Sequence, residues 1–590
     1  MNEFRTSVRW DDRWALGWIA LLTVVPFLHA HHRNPIPSFF PEWWAILFGL
    51  LASLAFLSRG FLRDLRIPRI VVLPLSLALV IGLQIPLLSN IITDVSLNGI
   101  LFLLWAALLM MLSATLVARV GVEIIFTTLT AGLAIGAAGS VVTMALQASY
   151  ALTWTGLISV SPLERLFGNL NQPNHLALQL WLGISSVLYL RAQNQIRLAI
   201  ALCALATFAI ASLFTGSRAI VFYSVALPMV VWLMRRRLPA VTSKEMFRLG
   251  LLTLLITLAG QTLQQIAPTT VSGAREWSVA PGSSDGIRLG LWWTASQLGW
   301  DHWWSGIGWG RFASTSFTHM EALSASAPMT TTLTPGEHAH NILFNLWAET
   351  GFWGPVLLVV CLLGWLWRVG RGDPAGQFVW LLLLPIALHA QLEYTLWYAF
   401  FLAPAALMLG AADSSWRPPK APSLPLAGVV LLAALTLAIS MRQDYTRLER
   451  AMHWPGGDAA GQSWDSIKDE LLALRQNSRF GSYVDLSFAA TLALDRDRIE
   501  DKRRVCLAAI RFSPTDYTVF KCAAIDALAG DSIAAKRRLA RAMLAYPDQT
   551  QQHLKLWRTM LTDHPELAPL VQQMDEFLAR RAAVGHPAVT

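Results

Sequence analysis

Two shortages in this sequence each exclude a class of protein. Charged residues make up only 14% of the 590 residues, whereas soluble globular domains carry about 25%, so an ordinary soluble fold is excluded. Cysteine occurs only four times, without a Cys-x-x-Cys pair and without the Cys/His spacing of a zinc site. No glycine loop of the Walker or Rossmann type occurs either. These absences disfavour a zinc site and a nucleotide-binding loop.

Apolar sequence dominates the chain instead. Hydrophobic residues make up 54% of it, and a spanning helix needs about 20 predominantly apolar residues in succession. The 26 tryptophans fit anchoring at the membrane interface. The sequence therefore predicts an all-α, polytopic membrane protein with about thirteen transmembrane helices. The predicted segments are Trp14–Ala30, Trp43–Leu57, Ile70–Leu88, Gly99–Val117, Val122–Gln147, His175–Tyr189, Leu198–Phe214, Ile220–Met234, Leu249–Leu263, Phe352–Trp367, Gln377–His389, Thr395–Leu409 and Leu424–Ile439.

The basic residues predict the orientation of these helices. The formal charge is +9, but the arginines and lysines form short clusters between apolar runs, which favours a membrane topology over nucleic-acid binding. Every cluster falls on one side of the membrane if the N-terminus is cytoplasmic. The first apolar run has no small-residue cleavage site, so we interpret it as a retained helix. The longer loops then face outward, where a substrate must arrive already activated and membrane-bound.

Composition divides the chain into four predicted parts. Residues 1–263 are N-terminal transmembrane helices, 264–340 a large outer loop, 341–440 C-terminal transmembrane helices and 441–590 an outer soluble domain. The last part shows helical periodicity and about one repeat of tetratricopeptide type. Cys506 and Cys522 lie nearly equidistant from the turn at Pro514, so either a disulfide or two buried thiols is possible there.

The segment Pro335–Gly354 carries the most unusual residues. His338 and His340 stand beside Asn341 where the outer loop meets apolar sequence. Histidine titrates near neutral pH and can take a proton from a hydroxyl, so His340 is the candidate base and His338 ranks second. A solvated histidine at a helix start is the alternative. Glu349 could orient a histidine, pair with an arginine or be a buried structural acid.

Two arginines are candidate anion-binding residues. Arg218 lies between two apolar helices with no acidic residue nearby in sequence, which is costly unless an anion is bound. Arg288 is predicted near the N-terminal end of an amphipathic helix from about Gly286 to Leu298, where the helix dipole does not favour a cation. Arginine is well suited to bidentate phosphate binding. Snorkelling of Arg218 and simple solvation of Arg288 are the alternatives.

The outer segment that opens the sixth helix adds polar residues. Gln172 and Asn174 belong to a stretch whose amides can hydrogen-bond sugars, although such Asn-Pro stretches are also ordinary turn and cap formers. Neither HExxH nor an outer-loop DxD occurs. We therefore predict no metal site and no cofactor.

These residues together resemble the core of the O-antigen ligase and polymerase superfamily. The elements that carry the resemblance are Gly216-Ser217-Arg218-Ala219, Arg288 with Trp292, Gly306-x-Gly308-x-Gly310-x-Phe312, and His340-Asn341-x3-Asn345-x3-Glu349-x-Gly351-x2-Gly354. They lie within Leu163–Gly354, and the last block is the most specific. Pro35–Trp44, Gly168–Ala177 and the tail further resemble the PglL-type protein O-oligosaccharyltransferases that glycosylate pilins.

The resemblance implies a GT-C-like fold and a reaction. Such enzymes sit in the bacterial inner membrane and transfer an oligosaccharide en bloc from undecaprenyl pyrophosphate to serine or threonine hydroxyls of periplasmic proteins. The resemblance assigns the pyrophosphate to Arg218 and Arg288 and the activation of the acceptor to His340. It implies inversion at the anomeric carbon without a metal. No role is carried over to Glu349 or Asn174.

Two other interpretations stay open at this point. An O-antigen ligase acting on lipid A core, or a polymerase that extends the glycan, would use the same residues. A lipid-linked glycan transporter would use membrane arginines without chemistry. The single long outer loop with its histidine, and the absence of an obvious internal repeat, disfavour the transporter.

Overall fold

The computed structural model describes residues 8–89, 91–160, 165–266, 284–328, 331–372 and 374–583. These residues are predominantly helical. The first group of helices comprises α1 (Trp10–Leu22), α2 (Val25–Leu28), α3 (Phe39–Ser53), α4 (Arg59–Arg63), α5 (Val72–Leu87), α6 (Thr93–Val120), α7 (Val122–Ala148), α8 (Pro173–Ala192), α9 (Leu198–Leu213), α10 (Ala219–Met234) and α11 (Ala240–Ile266).

The helices continue through the outer segments and the tail. The middle group comprises α12 (Ser284–Asp301), α13 (Phe312–Thr318), α14 (Met320–Ser326), α15 (Ile342–Thr350), α16 (Trp353–Val369), α17 (Pro374–Gln377), α18 (Val379–His389), α19 (Ala399–Ala412) and α20 (Leu424–Met452). The tail contains α21 (Trp464–Asn477), α22 (Gly481–Thr491), α23 (Ile499–Phe512), α24 (Asp516–Leu528), α25 (Ser532–Ala545), α26 (Thr550–Met560) and α27 (Ala568–Ala583).

Short elements complete the secondary structure. Two strands, β1 (Ile67–Pro68) and β2 (Ser415–Trp416), pair antiparallel with Ile67 opposite Trp416. Short 3-10 helices cover Leu54–Leu57, Arg69–Val71, Thr153–Thr155, Thr395–Trp397, Gly457–Ala459 and Pro565–Leu567.

The predicted all-α, polytopic membrane fold is confirmed. Each of the predicted apolar segments contains a helix. By length and composition, six helical stretches within the described ranges can cross a membrane, because a helix satisfies its backbone hydrogen bonds internally. These stretches are Phe39–Leu57, Arg69–Leu87, Thr93–Val120, Val122–Ala148, Ala240–Ile266 and Leu424–Met452.

Helix α11 shows how such a helix distributes its side chains. Leu251, Leu255 and Leu258 are exposed along one face, as expected of a surface in contact with lipid. On the other face Thr253 and Thr257 are fully buried, and the Thr253 hydroxyl donates to the Leu249 carbonyl at 2.9 Å. The polar groups that leave water are therefore paired within their own helix.

The first predicted helix is broken, which corrects its predicted bounds of Trp14–Ala30. Helix α1 ends at Leu22, and the Thr23 hydroxyl donates to the Ala20 carbonyl at 2.8 Å. Pro26 follows in α2, and a proline removes a helix hydrogen bond and clashes with the preceding turn. Thr23 also lies against Gly132 of α7, where a Cβ would stand 1.9 Å from the Thr23 hydroxyl.

Contacts among the described residues group the chain into two compact units. The first comprises Met1–Ala78, Leu101–Glu276 and Leu357–Arg442, and the second comprises Leu79–Ile100, Trp277–Val356 and Gln443–Thr590. The second unit contains most of the predicted outer loop together with the predicted C-terminal domain. The part of the outer loop from 267 to 283 lies outside the described residues.

A buried charge cluster stabilises the first unit. The Arg119 guanidinium donates to Asp12 at 2.5 Å, to Asp64 at 2.7 Å and to Asp11 at 3.0 Å. Burying an ion is costly unless its partners satisfy its hydrogen bonds, and here three carboxylates surround one arginine. The Asp64 carboxylate therefore pairs with Arg119 of α6 and not with the arginines next to it in sequence.

The tail has a core of its own within the second unit. A disulfide joins Cys506 of α23 to Cys522 of α24, and both residues are buried, which answers the question that the sequence left open. The core also includes Phe317 of α13 and Met320 of α14. The tail therefore packs directly onto the helices that follow the glycine-rich segment of the outer loop.

Candidate functional site

Helix α12 is the amphipathic helix predicted from about Gly286 to Leu298. Its apolar residues Leu291, Ala295 and Leu298 share a small core with Ala339 and with Ala348 of α15. Trp292 also stacks on Phe344 of α15, with ring centroids 5.8 Å apart. The 3.6-residue period of the apolar side chains thus places one face of α12 against α15.

Residues 331–341, here called the histidine loop, lie along the first turns of α12. The Thr332 N–H donates to the Gly286 carbonyl at 3.0 Å. At Gly290 a Cβ would stand 2.1 Å from the Thr332 carbonyl oxygen, and at Gly336 it would stand 2.8 Å from a Leu291 methyl. Glycine permits this close approach. Because Arg288 lies between Gly286 and Gly290, the helix that carries Arg288 and the loop that carries His340 are direct neighbours.

The backbone of His340 has an unusual conformation. Its φ is +52°, in the left-handed region that non-glycine residues seldom occupy. The residues on both sides are held by side chains: the Ala339 N–H donates to Asn345 Oδ1 at 2.9 Å, and Asn341 Oδ1 accepts from the Leu343 N–H at 2.9 Å. Such strain persists only where the surroundings over-determine it, and it clusters at functional sites.

Asn341 and Asn345 hold the loop in place. Asn341 is the N-cap of α15, with its side chain accepting from the backbone of Leu343 and Phe344, and an N-cap asparagine contributes about 1 kcal/mol. Asn345 is 1% exposed. Sequence reasoning ranked Asn341 as a supporting residue and gave no function to Asn345, although its place four residues after the cap was a usable signal.

The two histidines of the loop occupy different environments. His338 is partly buried, and burial lowers the pKa of His338 to about 3. The nearby His340 lowers this pKa further, and a hydrogen bond to the Asn345 side chain opposes the shift. His338 is therefore neutral at pH 7. Its position suits a fixed hydrogen-bonding role more than a proton-transfer role.

Arg288 has a carboxylate nearby that the sequence analysis did not weigh. Its guanidinium lies 3.9 Å from the carboxylate of Asp285, one turn earlier, and both side chains are about one quarter exposed. A long, solvent-screened pair of this kind contributes little to stability. Asp285 thus moderates the unfavourable position of the cation near the helix start.

Glu349 lies at the centre of the packing behind the histidine loop. It is 0% exposed, and its Oε1 accepts from the Gly310 N–H at 3.1 Å. Its carbonyl accepts from the Gly308 N–H at 3.1 Å and from the side-chain amide of Gln84 at 2.8 Å. Of the roles left open by the sequence, the geometry favours that of a buried structural acid. Gln84 lies within the predicted spanning segment Ile70–Leu88, and sequence reasoning did not identify it as a residue of this site.

The glycine-rich segment Gly306–Phe312 forms a tight turn. Gly306, Gly308 and Gly310 all have positive φ, at +66°, +99° and +72°. At Gly306 a Cβ would stand 2.3 Å from the Glu349 carbonyl oxygen. Any side chain there would push the turn away from α15, so glycine is required by both conformation and space.

Glu349 gives a testable pH dependence. Burial raises the pKa of Glu349 to about 8, although hydrogen bonds from Gly310, Phe312 and Asn345 lower it. An unfolded glutamate titrates near 4.3, so the folded state binds more protons between the two values and stability falls as pH rises from about 4.5 through about 8. Glu349→Gln is expected to remove this fall, which amounts to several kcal/mol, because glutamine keeps the acceptor for Gly310 and carries no charge.

The thermal midpoint in detergent between pH 5 and 9 measures this effect for both proteins. Glu500→Gln is the matched control, because the Glu500 side chain is 72% exposed. Since Glu349 is neutral at pH 7, Glu349→Gln is also expected to keep activity within about 3-fold. A folded Glu349→Gln protein that is 100-fold less active would contradict the structural role.

Arg218 lies in the first unit, between α9 and α10 as predicted. It stands at the N-cap position of α10, is partly exposed, and follows Gly216, whose φ is +58°. Thr215 and Ser217 are buried.

Arg165 is a residue of this region that sequence reasoning missed. Its Nε donates to the Thr215 carbonyl at 2.7 Å, three residues before Arg218. The same guanidinium donates to Asn174 Oδ1 at 3.1 Å, and the Asn174 amide donates to Glu393 at 2.9 Å. Asn174 therefore bridges an arginine and a glutamate. Arg165 escaped notice because its partners are distant in sequence.

For Gln172 the structure shows the alternative interpretation of its segment, that of a helix cap. It is the N-cap of α8, where its side chain accepts from the His175 N–H at 2.9 Å. The described residues also contain no cluster of three or more His, Cys, Asp or Glu side chains placed to hold a metal ion.

Two ranges of the chain match known protein families, and one of them contains most of the candidate site residues. Residues 176–359 match the family described as O-antigen ligase, a range that contains Arg218, Arg288, the histidine loop and Glu349. Residues 377–559 match the family described as virulence factor membrane-bound polymerase, C-terminal. Over these two ranges the chain is similar to the O-antigen ligase superfamily. The predicted resemblance is thereby confirmed at the level of the superfamily.

A curated relative supports the same superfamily. The chain is 23% identical over 290 residues to a general O-oligosaccharyltransferase of Acinetobacter baylyi (strain ATCC 33305 / BD413 / ADP1). This similarity covers 46% of the chain and 49% of the relative. The chain thus spans about half the length of this curated relative.

Proposed function

We propose that this protein transfers an oligosaccharide en bloc from undecaprenyl pyrophosphate to serine or threonine hydroxyls of periplasmic, pilin-like proteins. The superfamily and the oligosaccharyltransferase relative support this assignment. The observation that carries it is the left-handed backbone of His340, fixed by Asn345 and Asn341 beside the helix that bears Arg288. The backbone of His340 is thus held in one conformation, and a general base must be positioned within hydrogen-bond reach of the proton that it accepts.

The proposed reaction is one displacement at the anomeric carbon. The acceptor hydroxyl oxygen forms the new glycosidic bond as the bond between the sugar and the lipid diphosphate breaks. The proton of the hydroxyl passes to His340, and the lipid diphosphate leaves. Arg288 and Arg218 stabilise the charge that develops on the diphosphate. The reaction inverts the configuration and uses no metal or other cofactor.

The proposal places the protein in a bacterial inner membrane. The N-terminus is cytoplasmic, and the histidine loop and the tail are periplasmic. The clustering of arginines between alternate apolar segments supports this orientation. A lipid-linked donor then reaches the protein from the bilayer itself.

Reconstitution tests the proposal against its alternatives. Purified protein in liposomes would receive a lipid-linked oligosaccharide and either a pilin-like acceptor or lipid A core. The expected product is a glycosylated pilin-like protein with an inverted linkage. Glycan on lipid A core would instead identify a ligase. Movement of the lipid-linked glycan across the bilayer without a new bond would identify a transporter.

One alternative has an observation of its own. The match of residues 377–559 to a polymerase C-terminal family favours a glycan acceptor over a protein acceptor. In the same assay, a polymerase would yield a longer lipid-linked glycan and leave the pilin-like protein unmodified.

A further inference from the structure

A basic cavity lies in the first unit, apart from the residues discussed so far. It has a volume of about 480 Å³ and is lined by Arg63, Arg417, Pro418, Pro419 and Ala421. Both arginines are exposed and belong to clusters predicted to face the cytoplasm. The proposed transfer reaction makes no use of them.

The two-stranded sheet builds this cavity. Strand β1 follows the helix that carries Arg63, and β2 directly precedes Arg417. One Arg417 N–H donates to the Arg63 carbonyl at 2.7 Å. The sheet and this hydrogen bond bring together two arginines that are 354 residues apart in sequence, and the two prolines stiffen the wall beside them.

The carboxylates closest in sequence to the two arginines, Asp64 and Asp413, are paired with other arginines. The carboxylate of Asp64, adjacent to Arg63, accepts from the Arg119 guanidinium at 2.7 Å. Asp413, four residues before Arg417, pairs with Arg368 at 2.7 Å and accepts from the Ile70 N–H. Among the residues that the structure describes, no carboxylate forms an ion pair with Arg63 or Arg417. The cavity therefore holds two positive charges that an anion would compensate.

Two other arginines on the same predicted side, Arg191 and Arg371, have partners. Arg191 pairs with Glu245 at 2.7 Å. The guanidinium of Arg371 lies 4.1 Å from the centroid of a Trp367 ring. Arg63 and Arg417 differ from Arg191 and Arg371 because they line a cavity.

We propose that this cavity binds the phosphate headgroup of an anionic glycerophospholipid. Arginine forks match phosphate oxygens in bidentate geometry, and basic pockets of membrane proteins on the cytoplasmic side bind such headgroups. Exposed apolar side chains flank the cavity-lining residues in sequence: Trp416 precedes Arg417, and Leu426, Val429 and Val430 follow at the start of α20. Acyl chains can lie against these side chains, which favours a lipid over a soluble phosphate.

The test compares lipid binding by purified full-length protein and by Arg63→Gln/Arg417→Gln. Affinity for phosphatidylglycerol and cardiolipin in phosphatidylcholine nanodiscs is expected to fall about 30-fold in the double variant. Arg236→Gln, which removes an exposed charge outside the cavity, should bind as the wild type does. Arg63→Lys/Arg417→Lys should restore most of the binding and show that the site folds.

Three outcomes would overturn the proposal. One is equal lipid affinity of wild type and the double glutamine variant. Another is an equal loss in Arg236→Gln, which would indicate a general charge effect. The third is displacement of the lipid by inorganic phosphate or pyrophosphate at similar concentration, which would identify a soluble anion site. None of these depends on glycan transfer, so failure here is distinguishable from failure of the proposed function.

Discussion

His340→Ala is expected to reduce glycan transfer by about 10²–10⁴-fold, while the protein still inserts into the membrane and accumulates. The side chain that would take the acceptor proton is removed. The supports of the loop, Asn341 and Asn345, stay in place. Histidine is enriched among the non-glycine residues that adopt the left-handed conformation, so the amount of folded His340→Ala protein is measured beside its activity. Single-turnover transfer from a lipid-linked oligosaccharide to a pilin-like acceptor measures the loss.

His319→Ala is the matched control for this substitution. His319 is an exposed histidine at the end of α13 in the same unit, with its ring nitrogen 3.0 Å from the Thr315 carbonyl. The His319→Ala protein should transfer glycan at the wild-type rate. Normal transfer by His340→Ala would show that the acceptor is activated by another group.

Arg288→Ala is expected to lower kcat/KM for the lipid-linked donor by about 10- to 150-fold, since a hydrogen bond to a charged group is worth about 1.5–3 kcal/mol. The KM for the protein acceptor should change little, because the arginine is proposed to contact the diphosphate alone. Arg288→Lys should lie between the two, since lysine keeps the charge but loses the bidentate fork. Arg218→Ala is expected to behave in the same way. Initial rates at varied donor concentration measure both parameters.

Two further variants make the Arg288 result specific. Arg504→Ala removes an arginine whose side chain is 78% exposed in the tail, and it should have no effect. Asp285→Asn removes the carboxylate 3.9 Å from Arg288, and donor use should not decline. Unchanged donor kinetics in Arg288→Ala would refute its proposed role in diphosphate binding.

Local patterns determined the helices, the candidate base and the turn. Apolar runs long enough to span a bilayer form helices because lipid offers the backbone no other hydrogen-bond partners. The spacing of Ile287, Leu291, Ala295 and Leu298 predicted the buried face of α12, since a helix repeats every 3.6 residues. The glycines at 306, 308 and 310 permit a tight turn because each adopts a positive φ.

Tertiary structure alone decided how those elements are connected. The buried position of Glu349 depends on the Gly310 N–H and on Gln84, which lies 265 residues away in sequence. The partners of Arg165, the disulfide of Cys506 and the cavity between Arg63 and Arg417 likewise depend on residues brought together by folding. A spacing rule acts within one helix or turn, whereas hydrogen bonds and ion pairs act between any groups that packing places within about 3 Å. The sequence by itself therefore determined which residues can do chemistry, and the tertiary structure decided which of them are held in a position to do it.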